Sequence, residues 1–363
     1  MQGLTTAGRP RRGLSITGAF TVASALVLAA AAPGHADTTT SKSTETGGND
    51  GGALSAGVTY TYPSGKSTGS ATVPLGSSDV SWTPPPCWIG PVGDPETFKK
   101  KLLQSVKDTN VPGQANYALE AMQELQQHYE EGRTWAASGD GYKDFNLDKQ
   151  GKGQFWGPVM NPDSDSPERF DCNSTLPFWV DNGKLPPPGT QNVITAEMLS
   201  RLAYARTRVP GVTVVTSPVT TQTVNLPTWL QLTQKYTRVQ VRASIDIGGG
   251  QEIWAQTTAD PANVHIDPGT GDATLHPASG DCPVAADGSV GSAYNGDPAA
   301  VPPCGMTYRR STAATGPYRL DVTATWHVTW VGSDGGGTHP LPDGVVHNPA
   351  QDLTVREIQS VVR

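Results

Sequence analysis

Leu320-Asp321-Val322-Thr323-Ala324-Thr325-Trp326-His327-Val328-Thr329-Trp330 alternates apolar and polar side chains without a break. A period of two marks a β-strand with one face in a core and the other in water. Both tryptophans fall on the apolar face. His327 falls on the other, where its simplest role is that of a surface strand residue. Thr237-Arg238-Val239-Gln240-Val241-Arg242-Ala243-Ser244-Ile245-Asp246-Ile247 repeats the pattern. Shorter runs at 212–216, 219–225, 251–258, 264–267, 273–276, 306–310 and 352–361 bring the expected strands to about nine. Turn signals such as Asp267-Pro268-Gly269 and Asp334-Gly335-Gly336 separate several of them. Many antiparallel strands with no helix between them favour an immunoglobulin-like β-sandwich over residues 208–363.

Upstream the period lengthens. Asp94-Pro95-Glu96 combines a capping carboxylate with a first-turn proline, and Phe98, Leu102, Leu103 and Val106 then share one helical face. A second helix is expected from about Gln114 to Glu131, buried along Ala118, Met122, Leu125 and Tyr129 and stopped by Gly132. Thr195 opens a third, packed through Met198, Leu199, Leu202 and Ala203. Residues 133–190 are rich in Gly, Asp, Pro and aromatics and are expected to form a long loop-built layer. Residues 57–207 therefore read as short strands followed by a small helical, loop-rich, disulfide-tied module, and the whole chain as α+β.

The first 36 residues read as a cleavable export signal. Arg9, Arg11 and Arg12 precede an apolar run from Ile16 to Ala32, and Pro33-Gly34-His35-Ala36 offers small residues for cleavage. The run is short for a spanning helix, so no membrane span is expected after cleavage. Residues 37–56, rich in Ser, Thr and Gly, read as a flexible leader. The 363-residue chain carries 26 basic and 33 acidic side chains, a formal charge of −7 that deepens once the signal arginines are gone. An acidic surface repels phosphate backbones, which argues against nucleic acid as a partner. The expected location is secreted, extracellular or cell-wall associated.

Four cysteines, Cys87, Cys172, Cys282 and Cys304, suit an oxidising compartment. Sequence alone permits three pairings. Cys87–Cys172 and Cys282–Cys304 are favoured because each bond then lies inside one expected domain. A zinc site is disfavoured: no two cysteines stand at CxxC spacing and no histidine pair lies near.

Motifs of catalysis are present only in fragments. Gly65-Lys66-Ser67 has Tyr60 where a phosphate loop needs glycine. Gly65-Lys66-Ser67-Thr68-Gly69 spells a nucleophile elbow, yet it sits in a Ser/Thr/Gly-rich stretch rather than at a strand-to-helix turn. Gly151-Lys152-Gly153-Gln154-Phe155-Trp156-Gly157 misses the dinucleotide fingerprint by one residue. Asp144-Phe145-Asn146-Leu147-Asp148 opens like a calcium loop, but Lys149 and Phe155 occupy the positions of its glycine and closing glutamate. His128, His265, His276, His327, His339 and His347 are scattered, and Glu120, Glu124, Glu130 and Glu131 read as the wet face of the second helix. Trp82, Trp88, Trp135, Trp156 and Trp179 lie at turns, where they would either stack on sugars or a protein, or fill the core of a domain short of aliphatics. No catalytic, cofactor-binding or metal residue is assigned.

Two segments carry a resemblance. Trp82-Thr83-Pro84-Pro85-Pro86-Cys87-Trp88, followed by Pro95-Glu96-Thr97-Phe98, is one; Pro302-Pro303-Cys304-Gly305-Met306-Thr307-Tyr308-Arg309-Arg310-Ser311, followed by Thr325 to Trp330, is the other. The chain resembles exported actinobacterial proteins of the Streptomyces type, often labelled "enoyl reductase" or "ATP/GTP-binding protein". The resemblance implies only that such a label is attached, and it brings no catalytic residues. The residues themselves hold neither an intact Walker nor a dinucleotide motif. The functional expectation is a non-catalytic secreted or envelope-associated protein that binds or scaffolds a protein or glycan, without a cofactor. The alternative is an extracellular hydrolase of cell-wall glycan or peptide with its site in residues 133–190.

Overall fold

The computed structural model describes residues 72–113, 115–134, 141–297 and 299–358, together with the backbone of 43–45 and 58–61. The segment expected to be an export signal, most of the expected leader, Trp135 and the Gly65–Gly69 motifs lie outside the described residues. Near the start are four short strands: β1 (Ser43–Glu45), β2 (Val58–Thr61), β3 (Thr72–Pro74) and β4 (Gly76–Ser77). Next come β5 (Cys87–Gly93), α1 (Pro95–Thr109), α2 (Asn116–Glu130), β6 (Gly153–Met160), β7 (Phe178–Asp181) and α3 (Ala196–Ala205). The rest is strand: β8 (Arg208–Pro210), β9 (Val214–Ser217), β10 (Thr221–Thr223), β11 (Pro227–Leu232), β12 (Val239–Gly248), β13 (Gln251–Asp267) and β14 (Ala273–His276). β15 (Asp281–Pro283), β16 (Gly305–Tyr308), β17 (Tyr318–Gly332), β18 (His339–Pro340), β19 (Gly344–His347) and β20 (Gln351–Arg356) complete it.

Nearly all pairing is antiparallel. The path β1-β2-β12-β13-β17-β19-β4 is the spine of an eleven-stranded sheet, and β14-β16-β11-β9 forms a second sheet of four. The two long strands β13 and β17 are the centre of the first. Along β17 the even-numbered side chains, Tyr318 to Trp330, are all buried, as the alternation requires. Across the ladder they meet Thr257, Ala259 and Pro261, which are odd-numbered, at one end and Val264 and Ile266 at the other. The change of parity happens at a bulge between Pro261 and Asn263. One extra residue, Ala262, shifts the phase so that a single face stays buried over the full length. The expected separate strands at 251–258 and 264–267 are thus one strand, and the bulge is what lets a proline sit inside it.

That buried face is covered twice. At the Trp330 end lies α3, capped by the Thr195 hydroxyl on Met198 N–H, with the Thr257 hydroxyl bonded to the Ser200 carbonyl at 2.9 Å. At the Tyr318 end lies the four-stranded sheet, where Tyr308 stacks on Tyr318 with ring centres 5.3 Å apart. Leu230, Met306, Leu320, Val322 and Trp326 join one core with Trp88 and Trp156. The expected boundary at 207/208 therefore falls within a shared core.

The helical part is smaller than its expected span. A three-stranded sheet, β5-β6-β7, runs through the stretch expected to be loop, and its strands are rich in Gly, Pro and aromatics rather than β-branched residues. Against it α1 and α2 close a second cluster of Phe98, Leu102, Tyr129, Phe145 and Phe155. The α1 start is as expected: Asp94 accepts from Thr97 N–H at 2.8 Å, with Pro95 in the first turn. The cysteines pair as favoured, Cys87–Cys172 and Cys282–Cys304. No helix among the described residues is long and apolar enough to cross a membrane.

Candidate functional site

The alternative expectation, a hydrolase, places its site in residues 133–190. The described acids, Asp144, Asp148, Asp163, Asp165, Glu168, Asp171 and Asp181, are all exposed. A general acid for glycoside cleavage sits in an apolar setting, and each of these side chains faces solvent instead. Several are engaged: Asp144 with Lys99 at 3.1 Å, Asp163 with Arg206, Asp181 with the Trp179 indole N–H at 2.8 Å. Glu120, Glu124 and Glu130 are exposed on α2, as a wet face would be, and so is Glu131 just past its end.

The calcium-like stretch is a plug. Asp144, Phe145 and Asn146 are successive non-glycine residues with left-handed backbone (φ 43°, 54° and 55°), an uncommon and costly run. Phe145 is fully buried, and its packing in the aromatic cluster holds the turn. The glycine run before Trp156 is also structural. Gly151 makes a left-handed turn, and a Cβ on Gly153 would lie 2.5 Å from the Trp179 ring. Trp88 and Trp156 are core residues, the second of the two readings open to them; Trp82 and Trp179 are half-buried, Trp82 edge-on to Tyr204. His128 is buried beside Tyr129 and Tyr142, with Nδ1 2.7 Å from the Arg133 carbonyl. The Nε2 of His276 lies 3.0 Å from the Thr307 hydroxyl, and burial followed by the nearby Arg309 charge lowers its pKa. Trp330 stacks on His339.

The opposite face of the large sheet presents a different surface. The side chains that alternate with the core residues of β12, β13, β17 and β19 all point there. From the register, Ser244 stands beside Trp254, Gln256 between Arg242 and Val331, and Thr258 between Gln240 and Thr329. Past the bulge, Asn263, Thr325 and Val345 form one row and His265, Thr323 and His347 another. The charges on this face are matched in place. Arg238 forks onto Asp260 at 2.6 and 3.2 Å, which raises the guanidinium pKa, and Arg242 pairs with Glu252. His265 meets Asp281 at 2.8 Å and His327 meets Asp343 at 3.0 Å. Trp254 is half-buried, with the Arg242 guanidinium 4.2 Å from its ring centre. The sequence reading passed over Trp254, although the alternation Ile253-Trp254-Ala255-Gln256 marks it as outward. Among the described residues no group of three or more His, Cys, Asp or Glu is placed to hold a metal ion.

No protein-family model, no curated protein and no solved structure matches this chain.

Proposed function

We propose that this chain is a non-catalytic exported protein that binds or scaffolds a component of the cell envelope, with the polar face of the β12-β13-β17-β19 layer as its contact surface. The carrying observation is the contrast between that face and residues 133–190. The face offers rows of hydroxyl and amide side chains on a sheet, whereas the described acids of 133–190 are exposed and most of its described aromatics, Phe170 excepted, pack into a core. In this reading the immunoglobulin-like topology expected from the sequence is the scaffold, with two antiparallel sheets stiffening one surface. Two disulfides support a life in an oxidising compartment.

The test is to incubate the purified chain with isolated cell-wall glycan and peptide fractions, measuring retention and turnover together. Retention without release of soluble product is expected. Turnover that disappears when Asp or Glu residues between 133 and 190 are substituted would establish the hydrolase instead.

A further inference from the structure

We infer that the polar face takes an uncharged polysaccharide chain, seated over Gln240, Thr258 and Thr329 and held at one side by Trp254 and Gln256. The inference rests on the binding role proposed above and adds the ligand's chemistry and its seat.

Three observations carry it. First, the ionic groups around the seat are already spent on one another, as Arg238–Asp260, Arg242–Glu252 and His327–Asp343. Beyond them the face ends in further acids, Asp246, Asp267 and Asp321. A polyanion therefore finds no surplus of positive charge to replace its counterions. Second, the seat is built mostly of hydrogen-bonding groups, with Trp254 and Val331 as the apolar side chains at one side. Protein interfaces centre on buried aromatic and aliphatic anchors with a polar rim, and this surface has the reverse composition. Donors and acceptors on a sheet repeat at about 4.8 Å across strands and about 6.8 Å along them, a regular grid suited to a chain of repeating hydroxyls. Third, Trp254 is clamped: the Arg242 guanidinium lies against its ring and is itself held by Glu252. A fixed indole beside a polar grid loses little freedom when a sugar ring packs on it.

The experiment is retention of the purified full chain on cellulose and on chitin, with a polyphosphate resin in parallel. Trp254→Ala, Gln256→Ala and the pair Thr258→Glu/Thr329→Glu are compared with Glu124→Gln, an exposed control on α2. Thermal unfolding is recorded for each. Retention on a neutral polymer is expected, weakened about tenfold by Trp254→Ala, abolished by the glutamate pair and unchanged by Glu124→Gln. Should the glutamate pair fail to fold, Gln256→Ala carries the same test, with weakened retention expected. Neutral-polymer binding that no face variant alters overturns the seat and leaves the binding role standing. Capture by the polyphosphate resin alone overturns the ligand class, as does retention on none of the three. Release of soluble sugar would overturn the non-catalytic reading along with it.

Discussion

Pro261 stands opposite Trp326 at the middle of the central strand pair, and the ladder resumes one residue out of step at Asn263 and Thr325. Ala262, the residue left over, keeps β13 and β17 burying the same face on both sides. Its deletion would turn Val264 and Ile266 toward water or force the whole pairing to slip. We expect a loss above about 4 kcal/mol, beyond what most single changes cost. Urea unfolding of the deletion variant beside Ala262→Gly checks this; the glycine variant should stay within about 1 kcal/mol.

Thr257 and Ser200 tie α3 to the sheet inside the core. Thr257→Val keeps the volume and removes the bond, so a loss of about 1 kcal/mol is expected. Thr257→Ser keeps the hydroxyl but opens a methyl-sized gap, at a similar cost. If Thr257→Val unfolds at the wild-type urea midpoint, the bond does not help dock the helix.

The two disulfides close loops of very different size, with sequence separations of 85 and 22. On the chain-entropy argument, the first contributes about 4–5 kcal/mol and the second about 3 kcal/mol. Cys87→Ser/Cys172→Ser should therefore lower the melting temperature more than Cys282→Ser/Cys304→Ser. The reverse order would mean that the Cys282–Cys304 bond does more than shorten the unfolded chain.

Alkali should unfold this protein through its tyrosines. Tyr129, Tyr204, Tyr236 and Tyr308 are buried, and each donates its hydroxyl to a backbone carbonyl: Pro177, Gly76 and Asp343, Gly211, and Pro268 respectively. Burial, the dominant cause, raises all four pKa values, that of Tyr204 to about 12. The unfolded phenol titrates near 10. Because the folded value is the higher one, the stability tied to Tyr204 is whole below about pH 10 and drains away as pH climbs toward 12. Unfolding followed by tyrosinate absorbance across that window should lose part of its steepness in Tyr204→Phe.

Much of this architecture was readable wherever one period ran unbroken. The alternation at 320–330 and 237–247 located the central strands and named their buried face, and Asp94-Pro95 and Thr195 located two helix starts. The three-stranded sheet escaped because strands such as Gly153-Gln154-Phe155-Trp156-Gly157-Pro158 lack alternation; their glycines answer close approach by Trp179 and Pro177, a tertiary cause. Trp88 and Trp156 were ambiguous for the same reason, since a tryptophan among Gly and Pro carries no sign of which way it faces. The polar face was legible residue by residue but not as a surface. Thr258 and Thr329 lie far apart in the chain, and only the register sets them side by side.

The Cys87–Cys172 bond has a further bearing on how the molecule ages. It spans α1, α2 and the left-handed Asp144–Asn146 plug, so a protease that cuts once anywhere along that arc severs the backbone without separating the pieces. A nicked molecule would keep its mass on a gel run without reductant and split in two once thiol is added. Wear of this kind stays hidden until the sulfur link itself is broken.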